Sequence, residues 1–211
     1  MKRLVVSALA GAMVLGAVTA SVALPMDARA AKKQLFSGKR INIEQVEAPG
    51  LTPDTQMQVE SLLGALTNPQ IAASFKAYGY YGAIAVVPDM GISEKTMSIS
   101  AKLHNPEAAQ AVALQACNDV RPEESTACTI VALILPKKYK PREFSLSQEA
   151  TDRFRKTWKK GDGPKYLAYS PGTHAWVIAK GAGADTVALE RCNAQASEVA
   201  EPDCMIAIAE E

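Results

Sequence analysis

The sequence predicts an α+β fold of two pseudo-repeated β-β-α-β units, each clamped by a helix-to-strand disulfide, with extra N-terminal and linker helices. Three observations predict it. The chain spells VALQACN at Val112–Asn118 and nearly repeats it as VALERCN at Val187–Asn193. All four cysteines fall inside the two copies, Cys117 and Cys128 in the first, Cys192 and Cys204 in the second, at nearly equal spacing. Each copy also opens with a short apolar run that ends in a Pro/Gly turn, around Pro88 in one and Pro171 in the other.

Five segments follow in order: residues 1–30 as a signal peptide, 31–80 as an N-terminal arm and helices, 81–136 as the first cysteine-clamped unit, 137–164 as a basic linker helix, and 165–211 as the second unit. Lys2 and Arg3 precede an uncharged, mostly apolar run from Leu4 to Leu24, and the small residues Ala28 and Ala30 stand where a signal peptidase reads positions −3 and −1. The expectation is a secretory signal cut near Ala30 and a periplasmic or secreted protein. The rival is an uncleaved anchor, since the run is just long enough to span a bilayer. No cysteine lies near the cut, which excludes a lipid-modified terminus, and nothing later in the chain reads as a transmembrane segment.

The arm carries an edge-strand pattern, Arg40–Val46. Thr52-Pro53-Asp54 then starts a helix with Val59, Leu62, Leu63 and Leu66 on one face, and Asn68-Pro69 starts a shorter one with Ile71, Phe75 and Tyr78.

In the first unit a turn at Pro88–Gly91 leads to a second strand in which Met97, Ile99 and Ala101 alternate with polar residues. Asn105-Pro106-Glu107 supplies a helix N-cap, a proline at the first helical position and a first-turn acid. Ala109, Val112, Ala113 and Ala116 form its inward face. The cysteine is expected at the helix end, with Asn118 taking the left-handed conformation common where helices stop. The first unit is eight residues longer than the second, and the surplus is expected around Ser100–Ala108. Two three-stranded sheets would present open edges, so the units are expected to pair them.

An even cysteine count in an exported chain reads as disulfides, and the repeat selects Cys117–Cys128 and Cys192–Cys204 from the three pairings. Metal binding is the alternative. It fails on the missing C-x-x-C spacing and on two histidines, His104 and His174, at unrelated positions. Neither a metal nor any other cofactor is expected.

The motifs together resemble a small exported bacterial domain of unknown function, with an aromatic before GAIA, a Pro/Gly hairpin, an Ala-rich helix with AL..C, and a second cysteine about ten residues on. Tyr81–Ala85, Ala113–Cys117 and Cys128 carry the pattern first, and Tyr166–Ala168, Trp176, Ala188–Cys192 and Cys204 carry it again. The second copy lacks the Gly-Ala before its strand. The resemblance implies a fold and an exported location, and no reaction.

Charge separates the function classes. The leader holds three of the 23 Lys and Arg and one of the 22 Asp and Glu, so the rest is nearly neutral and gives no case for nucleic acid. The neutrality is uneven, with a basic excess in residues 137–165 and an acidic one in residues 185–211. The two segments face one another, are simply solvated, or leave the basic part for an anionic partner. Ser145 and Gln148 read as a capping box for the basic helix, with Leu146, Ala150, Phe154 and Trp158 on one stripe. Arg153, Arg155, Lys156, Trp158, Lys159 and Lys160 form the candidate surface for an anionic envelope polymer; the alternative is an ordinary amphipathic helix whose aromatics pack on the sheet.

No nucleophile elbow, zinc-protease motif or phosphate loop is present. No catalytic residue is assigned, and His104 and His174 both read as loop residues. The expected function is therefore a non-catalytic interaction or structural module acting on an unknown protein or an anionic polymer. The alternatives are an envelope enzyme using carboxylates or His174, and an inhibitor presenting the Pro171–His174 hairpin tip.

Overall fold

The computed structural model describes residues 24–36, 38, 40–68, 70–71 and 79–211. Most of the signal segment and the short helix expected after Asn68 lie outside the described residues. The elements are α1 (Ala28–Gln34), β1 (Ile41–Gln45), α2 (Pro53–Thr67), β2 (Gly82–Val86), β3 (Met97–Ser100), α3 (Pro106–Val120), β4 (Thr129–Pro136), α4 (Gln148–Thr157), β5 (Lys165–Tyr169), β6 (Trp176–Lys180), α5 (Ala184–Ala196) and β7 (Met205–Glu210).

The strands form two separate antiparallel sheets, of order β1-β4-β2-β3 and β6-β5-β7. Within each unit the order is the same: closing strand, first strand, second strand. The registers also agree. Ile84 pairs with Ala132 and Leu167 with Ile208, and each first strand carries a bulge after that residue, at Ile84/Ala85 and Leu167/Ala168. The expected edge-to-edge union of the units does not occur. Strand β1 instead covers the outer edge of β4, and a single parallel bridge from Met26 to Ile208 lies on the outer edge of β7.

Both faces of each sheet are covered, because successive strand residues point to opposite sides. In unit one Ile84 and Val86 meet Val59, Leu63 and Leu66 of α2, while Ala83 and Ala85 meet Ala109, Ala113 and Cys117 of α3. In unit two Leu167 and Ile208 meet α1 and α4 through Ala31, Ala150, Phe154 and Trp158, while Ala168 meets Ala188, Cys192 and Ala196 of α5. The aromatic stripe of the basic helix is thus core, and that helix is the outer layer of unit two.

Each cysteine helix faces its sheet through small side chains one turn apart, Ala109-Ala113-Cys117 and Ala184-Ala188-Cys192. The inward stripe therefore runs through the cysteine, continuing to Ala196 in unit two, and in unit one it omits Ala116, which is exposed. The disulfides are Cys117–Cys128 and Cys192–Cys204, with Cα atoms 6.1 and 6.0 Å apart.

The asparagine after each first cysteine has a different role from the expected one. Both helices continue past it, to Val120 and Ala196. Its side-chain oxygen instead accepts the backbone N–H of the second cysteine, Cys128 to Asn118 at 3.1 Å and Cys204 to Asn193 at 3.0 Å. The shared Cys-Asn pair thus ties helix to closing strand twice, once covalently. Replacing Asn118 or Asn193 with alanine should lower stability by about 1 kcal/mol each, measured by urea unfolding of the oxidised protein.

The surplus of unit one is divided between two places. Equivalent residues are 83 apart on the first strands (Ile84, Leu167), 79 on the second (Ile99, Ile178) and 75 at the cysteines (Cys117, Cys192). Half of it lengthens the hairpin loop, and half lies between β3 and α3, where His104 stands.

The first strand of unit two forms without Gly-Ala. Gly82 is needed in unit one because a Cβ there would lie 2.5 Å from the Ser100 carbonyl oxygen. Lys165 holds the equivalent place in unit two, buried and paired with Glu210 at 2.9 Å.

Candidate functional site

Two features stand out on this scaffold: the seam between the units and the basic outer layer of unit two. At the seam His104 leaves unit one and is 0 % exposed. Its Nδ1 accepts the backbone N–H of Ser147 at 3.0 Å, and its Nε2 faces the carbonyl oxygen of Ala175 at 3.1 Å. A backbone N–H can only donate, so Nδ1 is unprotonated and Nε2–H is the donor to Ala175. Ser145 Oγ donates to the His104 carbonyl at 2.7 Å, and the ring meets Tyr169 edge to face at 5.3 Å. The cap of α4 is accordingly Ser147, whose Oγ accepts the Ala150 N–H, rather than the predicted Ser145–Gln148 box.

Burial holds the His104 imidazole down to about 4, against a smaller opposing effect of the bond to Ala175. The ring is neutral near pH 7, sealed from water and committed at both nitrogens, which disqualifies it as a general acid or base in this state. From the sequence alone His104 reads as a loop residue. The signal that marks it is its place in the surplus residues of unit one.

His174 is exposed at the tip of the β5–β6 hairpin. That hairpin is held by the Thr173 N–H on Ser170 Oγ at 2.9 Å and the Gly172 N–H on Asp203 Oδ2 at 2.9 Å. The His174 side chain lines two clefts, of about 300 Å³ with Lys102, Glu149 and Trp176, and about 390 Å³ against Val112 and Asp119 of α3. Among the described residues no hydrogen bond joins the His174 ring to a nucleophile or carboxylate, and no cluster of three or more His, Cys, Asp and Glu side chains is placed to hold a metal ion.

The second feature is charge. Arg153, Arg155, Lys156, Lys159 and Lys160 are exposed on α4 and the turn after it. Trp158 is not part of that surface. It is 2 % exposed, and its Nε1 donates to Glu210 at 2.8 Å, because its ring completes the apolar stripe under the helix. Sequence reading missed the contribution of α1, whose Arg29, Lys32 and Lys33 share a depression of about 950 Å³ with Lys159 and Glu210. Arg142 donates to the carbonyls of Lys33 and Gln34, and Arg155 to that of Leu35 at 3.1 Å, so cations close the C-terminal end of α1. Lys180 donates likewise to the carbonyls of Thr157 and Lys160 at the end of α4.

These cations crowd one another. Lys180 is held below the ordinary lysine range, first by desolvation and then by Lys165, Lys160 and Arg153. Lys165 and Trp158 together draw the Glu210 carboxyl below the usual carboxylate range. Helix α5 lies on the opposite face of the sheet from α4, so the acids of α5 do not face the basic helix, whereas Glu210 of the acidic segment reaches the basic side and pairs with Lys165.

No protein-family model matches the chain, and neither does any curated protein or solved structure.

Proposed function

We propose that this is an exported, non-catalytic binding module that docks on an anionic polymer of the bacterial envelope through the basic outer layer of its second unit. The observation that carries the reading is the separation of charge. A sheet stands between the cations of α1 and α4 and the acids of α5, leaving a surface on which the cations Arg29, Lys32, Lys33, Lys159 and Lys165 outnumber the acids Asp27 and Glu210. Such a surface attracts anions over about one Debye length, roughly 10 Å in 0.1 M salt. The two disulfides fit an oxidising compartment. Among the described residues no helix is long and apolar enough to cross a membrane.

The test is retention on immobilised dextran sulfate. The protein should bind in low salt and elute as salt rises. The triple variant Arg153→Glu, Lys156→Glu, Lys159→Glu should lose at least about 100-fold in affinity, at roughly 1 kcal/mol per surface charge neutralised, with an unchanged urea midpoint. Equal retention of the two proteins would sink the proposal. His174→Ala should leave retention unaltered, since that side chain belongs to the seam clefts and not to the basic layer.

A further inference from the structure

The fold makes use of residues that a cut after Ala30 would remove. Met26 lies on the open edge of β7, its N–H donating to the Ala207 carbonyl at 2.8 Å and its carbonyl accepting the Ala209 N–H at 3.1 Å. Asp27 caps α1, its carboxylate accepting the N–H groups of Arg29 at 2.7 Å and Ala30 at 2.9 Å. Helix α1 starts at Ala28, and its seven residues close over the outer core of unit two. Cleavage after Ala30 would remove the bridge, the cap and the first three helical residues. It would also make Ala31, which is 0 % exposed, the chain terminus. The new charged terminus would stand beside the apolar cluster that holds Ala31, Leu35 and Ile208, an unfavourable place for an ammonium.

Seven residues upstream the conflict disappears. Ser21 and Ala23 are small residues separated by Val22, the spacing that signal peptidase reads at −3 and −1, and they lie at the end of the apolar run that Leu24 closes. Leu24 is 90 % exposed, and among the described residues the first one bonded into the fold is Met26. A terminus at Leu24 leaves every described contact in place. We propose that the export signal is removed between Ala23 and Leu24, and that Ala28-Arg29-Ala30, despite its A-x-A form, is the first turn of a structural helix. The mature protein then keeps Arg29 beside Lys32 and Lys33, so processing at this bond preserves the cationic rim of the depression around Glu210.

The inference rests on the reading that the chain is exported, and one experiment separates the two. The full-length chain is expressed in a bacterium, the protein is recovered from osmotic-shock fluid, and its N-terminus is sequenced. A terminus at Leu24 is expected. A terminus at Ala31 overturns this site while leaving export intact, and an unprocessed chain confined to the cells overturns both. Pulse labelling adds a readout that does not depend on folding. Ala23→Phe should accumulate precursor, whereas Ala28→Phe should be processed like the parent; the reverse pattern returns the cut to Ala30.

Discussion

Replacing His104 with alanine is expected to destabilise the protein by about 3 kcal/mol at pH 7. The Ser147 N–H loses its acceptor inside a sealed site, which costs about 1–3 kcal/mol. The Ala175 carbonyl loses one of its two donors but keeps the Ser170 N–H at 3.0 Å. Packing of the ring against Tyr169 is lost as well. The parent protein should show the same site as a pH dependence. In the unfolded chain the imidazole titrates near its free value of about 6.5; in the fold it is held down to about 4. Between those values the unfolded chain takes up a proton that the folded one refuses. This contribution to stability is complete above about pH 6.5 and lost as the pH falls toward 4, amounting to about 2 kcal/mol by pH 5. The charged neighbours are His174, which opposes protonation, and Asp203, which favours it. Urea midpoints at pH 7 and pH 5 for the parent and for His104→Gln provide the check. The parent should lose stability over that interval and the variant should lose much less. Equal losses would show that His104 does not set the slope.

Removing the second disulfide by Cys192→Ala and Cys204→Ala should cost about 3 kcal/mol, the loop-closure effect for a bridge of this span. Its consequences should concentrate on β7. In unit one the closing strand β4 is paired on both sides, by β1 and β2. In unit two β7 is paired with β5, and among the described residues its other edge carries only the bridge to Met26. Hydrogen exchange should therefore show Met205–Glu210 amides losing protection first, while the matching change at Cys117 and Cys128 leaves β4 better protected. Unchanged urea midpoints in both double variants would contradict the view that the bridges stabilise the units.

The strands, the cysteine pairing and the apolar stripe of α4 were legible because each is encoded locally. Alternation, cap residues and duplicated spacing act within a few turns of chain, and the Asn105-Pro106 start of α3 forms as its sequence implies, with Asn105 accepting the Ala108 N–H at 2.7 Å. What escaped depends on contacts distant in sequence. Asn118 is an ordinary helix-end candidate until the strand ten residues on presents its N–H. Trp158 reads as an interfacial aromatic until Glu210, 52 residues away, takes its indole proton. His104 has no local signature, since its partners Ser147 and Ala175 lie 43 and 71 residues along the chain. The charge split was visible in composition, but only the fold shows that helices α4 and α5 are kept apart by a sheet while Glu210 crosses to the basic side.

The placement of His104 has a consequence for assembly. Two units of one design, joined by a plug on the first and a socket on the second, would risk propagation: a plug on the second would seek the socket of the next molecule, and such head-to-tail contacts extend without limit. Here the plug sits in residues that only the first unit possesses. The second unit is shorter between its β6 strand and α5 helix and offers no counterpart, so the joint is directional and is satisfied within one chain.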